Sequence, residues 1–199
     1  MRTLLIMLFL ASFTLPVWSI EIGEKAPQFK LKGHDGKTYE LEKFKGKFVV
    51  LEWFNEGCPF VRKHYDSQNM QKLQKQYTAK NNVVWLSIVS SVKGKQGFLA
   101  DESEAKKTYE KEVSRATALL LDHSGKVGSS YSAVTTPHMY LIGPEGKLLY
   151  QGAIDSIPSA NREDIKKATN YIQSALEMAL AGEPIKVAKT KPYGCSVKY

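Results

Sequence analysis

Cysteine is scarce in this chain: two residues, Cys58 and Cys195, among 199. So few exclude a disulfide-dense scaffold and a four-cysteine zinc site. Long apolar runs are confined to the first residues, so no later segment is expected to cross a membrane. There are no internal repeats and no interdomain linker. The net charge of +8 is not gathered into a block. Lysines come singly or in close sets (Lys43, Lys45, Lys47; Lys93, Lys95; Lys106, Lys107; Lys166, Lys167) without interleaved aromatics. Nucleic-acid recognition needs a focused basic face, so no nucleic-acid partner is expected. The charge reads instead as a solvated surface, attracted at most to acidic material. What is present is ordinary: 43% hydrophobic and 24% charged residues, enough for one domain with a buried core.

The amino terminus carries its own signal. Met1 and Arg2 give a short basic start, Thr3 to Leu15 is almost wholly apolar, and Val17-Trp18-Ser19 offers a cut before Ile20. Residues 1–19 read as a secretory signal peptide, with an uncleaved anchor as the alternative. No cysteine lies near the cut, which excludes a lipoprotein anchor. The expectation is a periplasmic or secreted protein with no stable membrane association after cleavage. In an oxidising compartment Cys58 and Cys195 can pair, permanently or during turnover. A bridge would close most of the mature chain and stabilise it by about 4–5 kcal/mol on loop entropy. A purely structural disulfide is therefore one reading of the pair.

The order of elements points to an α/β fold. Pro27 to Leu41 reads as a hairpin turning at His34-Asp35-Gly36-Lys37. Phe48 to Phe54 (FVVLEWF) and Val83 to Val89 (VVWLSIV) are dense enough for buried strands. Between them, Pro59 to about Lys80 reads as one helix with proline in its first turn. Asp101 to about Ala116 is a charged helix whose Lys and Glu spacing suits a solvated face. Ala118 to Leu121 is a short strand. His138 to Ile142 and Leu148 to Ile154 form a last hairpin, and Asn161 to Ala181 a long amphipathic helix stopped by Gly182. Residues 20–182 thus form one domain, a mixed sheet with helices on both faces. Residues 183–199 are a tail without a clear element, carrying Cys195.

The chemistry concentrates in WFNEGCPFVRKHY. Cys58 directly precedes the helix, where unpaired amides and the helix dipole stabilise a thiolate. Arg62 and Lys63 follow one turn later and add positive charge if they face the same way. Gly57 leaves the approach open, and Phe60 offers an apolar rim for a substrate chain. The remaining aromatics (Trp53, Phe54, Trp85, Phe98) read as sheet packing. A lowered pKa and a partly exposed position are what a nucleophilic cysteine needs. The bland alternative is a small buried cysteine at a strand–helix junction.

The strand–Cys–helix junction, with Thr136-Pro137 ahead of the last hairpin, resembles the thioredoxin fold. Gly23-x-x-Ala26-Pro27-x-Phe29 and Phe44-Lys45-Gly46-Lys47 resemble the opening of its redoxin branch, which includes alkyl hydroperoxide reductase-like and TlpA-like proteins. Cys58-Pro59-Phe60-Val61, Thr136-Pro137, Gly152-x-Ile154-Asp155 and Gly194-Cys195-Ser196-Val197-Lys198 together resemble the uncharacterised peroxiredoxin-like group. The resemblance covers nearly all of residues 21–199. It implies that Cys58 is the attacking cysteine, that Pro137 is a cis-proline facing it, and that the Thr136 backbone pairs with a bound chain. Glu52 matches the buried acid beneath the thioredoxin site. Burial would raise its pKa and let it exchange the thiol proton; the alternative is a solvated Glu52 at a sheet edge.

Two positions depart from the patterns. Val61 stands where a CxxC pair has its second cysteine, so a CxxC dithiol mechanism is excluded. Leu51 and Asn55 stand where peroxiredoxins keep proline and a hydroxyl residue, leaving the Asn55 amide as donor to a peroxide. Cys195 becomes the resolving thiol, since the segment after Gly182 reaches about 43 Å when extended, well beyond a radius of gyration of about 16 Å. The implied partners are a peroxide or protein disulfide and an external thiol reductant, with no cofactor. A different class is a copper carrier similar to Sco proteins, using Cys58, Cys195 and His138. Against it, Arg62 stands where those carriers have their second cysteine. His64 reads as a surface residue, and His34 and His123 as structural or solvent-facing.

Overall fold

Lys30–Gly33 (β1) and Thr38–Glu40 (β2) form the amino-terminal hairpin, and Asp35 closes its turn by accepting the Lys37 amide at 3.1 Å. The chain then passes through a 3-10 turn, Leu41–Phe44, into β3, Phe48–Trp53. The β-rich run VVWLSIV becomes β4 (Val83–Val89), buried at every position. Ala118–Leu121 is β5, Thr135–Thr136 β6, and His138–Ile142 and Leu148–Gly152 are β7 and β8. These assignments come from a computed structural model, which describes residues 20–80 and 82–199. The signal-peptide reading of residues 1–19 lies outside the described residues.

Seven strands form one mixed sheet in the order β2-β1-β5-β4-β3-β7-β8. β3, β4 and β5 run parallel, while β7 and β8 add an antiparallel hairpin and β1 joins antiparallel to β5. Period-two alternation divides β3 between two cores: Val50 faces one, and Val49, Leu51 and Trp53 face the other. The Val50 core is covered by α1 (Pro59–Asp66), α2 (Asn69–Thr78), α3 (Glu102–Lys111) and α5 (Tyr171–Leu180). The opposite core is closed by the amino-terminal segment, the 3-10 turn and the short α4 (Lys126–Ser130). Helical cover is thus present on both faces but unequal.

Three expectations need correction. The helix expected from Pro59 to Lys80 is two helices. The Ser67 hydroxyl donates back to the Lys63 carbonyl at 2.7 Å, and Gln68 turns left-handed at φ 60, which ends α1. The helix expected from Asn161 is a 3-10 turn, Arg162–Lys166, followed by α5. Residues between them leave the helical path because the Ser156 amide and hydroxyl pair with the Thr169 backbone, and the Asn170 side chain then caps α5 by accepting the Gln173 amide at 2.9 Å. The tail also holds a strand, β9 (Cys195–Ser196), paired antiparallel with β6. Upstream of β9 the tail follows the edge of β8, where Gln151 exchanges backbone bonds with Ala188 and Thr190.

Candidate active site

Proline cannot donate an amide and is favoured in a first helical turn; Pro59 therefore starts α1 and leaves Cys58 as its N-cap. Asn55 organises the approach: its side chain accepts the Gly57 amide at 3.0 Å and donates to the Gln96 carbonyl at 3.0 Å. The Cys58 carbonyl receives the Val61 and Arg62 amides. Its side chain is 0% exposed and donates to the Thr136 carbonyl at 3.0 Å. Thr136–Pro137 is cis, the isomer the resemblance implies. Thr136 is in turn the register partner of Cys195. Gly194 makes this approach feasible: its φ is +144°, and a Cβ there would overlap the Thr136 carbonyl.

Both cysteines are free thiols, and their acidities diverge. Burial pushes Cys58 up, but hydrogen bonding from the Cys195 thiol and from the amides of Val61 and Cys195 outweighs it and holds Cys58 below the ordinary thiol range. Cys195 moves the other way, to about 11, through burial, its hydrogen bond to Cys58 and the charge there. A thiol held below its ordinary range thus sits beside one held above it, and Cys58 is buried rather than partly exposed as a nucleophile is expected to be. The Thr136 hydroxyl is buried without a hydrogen-bond partner.

Other predicted residues take different places. The Thr136 backbone, expected to be open to a bound chain, already pairs with the tail. Phe60, expected to rim a substrate site, packs edge-on against Tyr193 with ring centroids 5.8 Å apart. Arg62 turns away from the sulfur. Its guanidinium forks onto the Glu112 carboxylate, and its Nε lies 3.3 Å from Asp66. Lys63 is neutralised by Asp155 at 2.8 Å, so neither cation supplies the local charge expected of it. The Asn55 amide is engaged by Gln96 rather than held open for a peroxide.

Glu52 lies in β3, an interior strand between β4 and β7, fully buried rather than at a solvated edge. Tyr65 donates to one carboxyl oxygen at 2.8 Å; Trp85 (2.8 Å), Ser87 (2.9 Å) and Gln74 (3.1 Å) donate to the other. Burial drives its pKa up against these four donors. None of the four is Cys58.

Sequence reasoning missed a second polar cluster. His64, read as a surface residue, is 0% exposed and pulled down to about 4 by burial. Next to it, the buried Lys63 and Asp155 and the half-buried Tyr193 form a network, of which the sequence offers only Asp155, as part of a motif. A lysine and an aspartate 92 positions apart give no local pattern, and only the motif spacing around Asp155 hinted at them. His138, the copper candidate, is buried, and its Nδ1 pairs with the Val134 amide and the Tyr140 hydroxyl. Among the described residues no group of three His, Cys, Asp or Glu is arranged to hold a metal, so Cys58, Cys195 and His138 do not assemble a copper site.

The chain is similar to known proteins in sequence and in fold. The family model described as "AhpC/TSA family" matches residues 22–151. The thiol-disulfide oxidoreductase ResA of Bacillus thuringiensis is 27% identical, over 75% of this chain and 80% of that protein. The peroxiredoxin Bcp of Bacillus subtilis is 30% identical, over 55% of this chain and 83% of its own length. The crystal structure of an uncharacterised conserved protein from Geobacillus kaustophilus superposes with a TM-score of 0.73 at 26% identity, covering 90% of this chain and 93% of that one. With a thioredoxin-like sheet, a cysteine at the first strand–helix junction and a family match across the core of the domain, the chain belongs to the AhpC/TSA family of oxidoreductases.

Proposed function

We propose that this is an exported two-cysteine thiol oxidoreductase in which Cys58 attacks and Cys195 resolves. One observation carries the reading: β9 holds Cys195 on the Thr136 strand beside Cys58, with the two thiols shifted in opposite directions. The Cys58 thiolate attacks the O–O bond of a peroxide, forming a sulfenic acid and releasing water or an alcohol. With a disulfide it forms a mixed disulfide and releases one thiol. Cys195 then attacks the Cys58 sulfur, expelling water or the second thiol and closing the intramolecular bridge. An external thiol reductant returns two electrons. Because the tail fills the strand slot on Thr136, a small acceptor fits the docked form better than a protein chain does. The relative named as a thiol-disulfide oxidoreductase keeps disulfide exchange as the second reading.

Export rests on residues 1–19. Among the described residues no helix is long and apolar enough to cross a membrane.

Stopped-flow mixing of the reduced protein with hydrogen peroxide, followed by buried-tryptophan fluorescence and disulfide mapping by mass, tests the peroxide reading. The expected product is a Cys58–Cys195 bridge formed faster than a free thiol reacts. In Cys195→Ser the sulfenic acid should persist and turnover with reductant should fall at least about tenfold. Unchanged turnover in that variant overturns the resolving role. A wild-type rate no better than a free thiol removes the peroxide and leaves disulfide exchange.

A further inference from the structure

The tail has to hold Cys195 against Cys58, yet β9 is only two residues long. Two backbone pairs cannot by themselves keep a terminal segment in place against its own entropy. The Val197 amide on the Val134 carbonyl, the Val92 amide on the Lys198 carbonyl and the Tyr199 hydroxyl on the Ala133 carbonyl extend the hold downstream, and the hold nearest Cys195 on its upstream side is Tyr193, two residues before it. The Lys63 side chain is completely buried, and its ammonium is saturated by Asp155 Oδ2 at 2.8 Å, the Ile157 carbonyl at 2.9 Å and the Tyr193 hydroxyl at 3.3 Å. The Tyr193 hydroxyl donates to the other Asp155 oxygen, which also takes the Ile157 amide. The Tyr193 ring lies 5.5 Å from the Lys63 ammonium and meets Phe60 edge-on.

A buried ion pair is costly unless its remaining hydrogen-bonding capacity is met. Here the tail meets it. Lys63 and Phe60 belong to α1, the helix that begins immediately after Cys58, and Tyr193 is two residues before Cys195. The network therefore ties the segment carrying one sulfur to the helix that presents the other. Withdrawing Tyr193 would take a donor from the buried carboxylate and an acceptor from the buried ammonium, which makes the docked position a defined state rather than a loose contact.

Resting on the two-cysteine reading above, we infer that Tyr193, seated on the buried Lys63–Asp155 pair, is the positioning residue that sets the effective concentration of Cys195 at Cys58. Its action reaches the sulfur through the tail backbone, and it touches neither reacting atom. With oxidised glutathione the consequence is explicit. Cys58 attacks one glutathione sulfur, giving a mixed disulfide and one glutathione thiol; Cys195 attacks the Cys58 sulfur and releases the second. The balance between the adduct and the bridge measures how well Cys195 is held.

The test is to equilibrate the full chain with glutathione redox buffers, quench with acid and count bridge and Cys58–glutathione adduct by mass. Wild type should be almost all bridge. Tyr193→Ala should lower the bridge-forming constant at least about tenfold, the scale of one charge-assisted hydrogen bond, and the adduct should accumulate. Tyr193→Phe keeps the ring against Phe60 and Lys63 but loses the hydroxyl, so it should fall between the two. A constant unchanged in both variants overturns the proposal. If Tyr193→Ala does not fold, Tyr193→Phe decides alone: an unchanged constant refutes the role and a reduced one supports it. Failure of wild type itself to form the bridge would instead sink the two-cysteine reading, a result distinct from failure of the positioning role.

Discussion

At the residue scale, the clearest tension is a carboxyl group in the middle of the sheet. Glu52 holds four donors, yet burial still raises its pKa. The native state therefore keeps a proton at pH values where the unfolded chain has lost it. Stability then falls as pH rises from the ordinary carboxylate value of about 4.3 toward the raised one. Glu52→Gln removes the titration while keeping an oxygen for Trp85 and Ser87. Its melting temperature relative to wild type should climb as pH rises above the ordinary carboxylate value. Thermal melts of both proteins from acid to neutral pH check this, and a flat difference would mean that Glu52 is already charged in the fold. The residue also shows where sequence reasoning stops. Its burial followed from its place in FVVLEWF, but its partners come from α1, α2 and β4. Only the folded chain shows that its four hydrogen bonds go to these neighbours and none to Cys58.

At the scale of elements, strands were legible and helix ends were not. β3, β4, β5 and β7 follow dense apolar runs, whose burial on both faces is written in composition. The break between α1 and α2 depends on Ser67 bonding backwards and on Gln68 turning left-handed, choices that local periodicity does not report. β9 has no period to detect in two residues. Its one local sign is Gly194. At φ +144°, with the Thr136 carbonyl against its α-carbon, this position excludes a side chain for two independent reasons. Gly194→Ala should cost about 1–3 kcal/mol, a fall of roughly 3–10 °C in melting temperature for a domain of this size. Amide exchange at Val197, which donates to the Val134 carbonyl, should rise with it. Gly36→Ala is the control: its φ is also positive, at +76°, but nothing lies within 4 Å of the added carbon. It should lower stability without touching exchange at Val197. Equal effects on that amide in both variants would detach Gly194 from tail docking.

At the scale of the whole molecule, the two cysteines couple folding to redox chemistry. The tail is docked while both thiols are free, so closing the bridge asks little further movement of the fold. In the unfolded chain the same bridge ties together two distant points, which costs entropy worth about 4–5 kcal/mol on the loop model. The oxidised protein should therefore melt higher than the reduced one. A thermodynamic cycle fixes what this means for activity: the extra folding stability of the oxidised form equals the extra stability of the native disulfide over the unfolded one, about 30 mV for each 1.4 kcal/mol. A large positive difference makes the dithiol a strong reductant, suited to giving electrons to a peroxide or disulfide. Calorimetry of both forms, set beside the glutathione equilibrium of native protein, measures two sides of that cycle independently. An oxidised form that melts lower would reverse the conclusion, because the fold would then favour the dithiol and Cys58–Cys195 would act as an oxidant of substrate thiols.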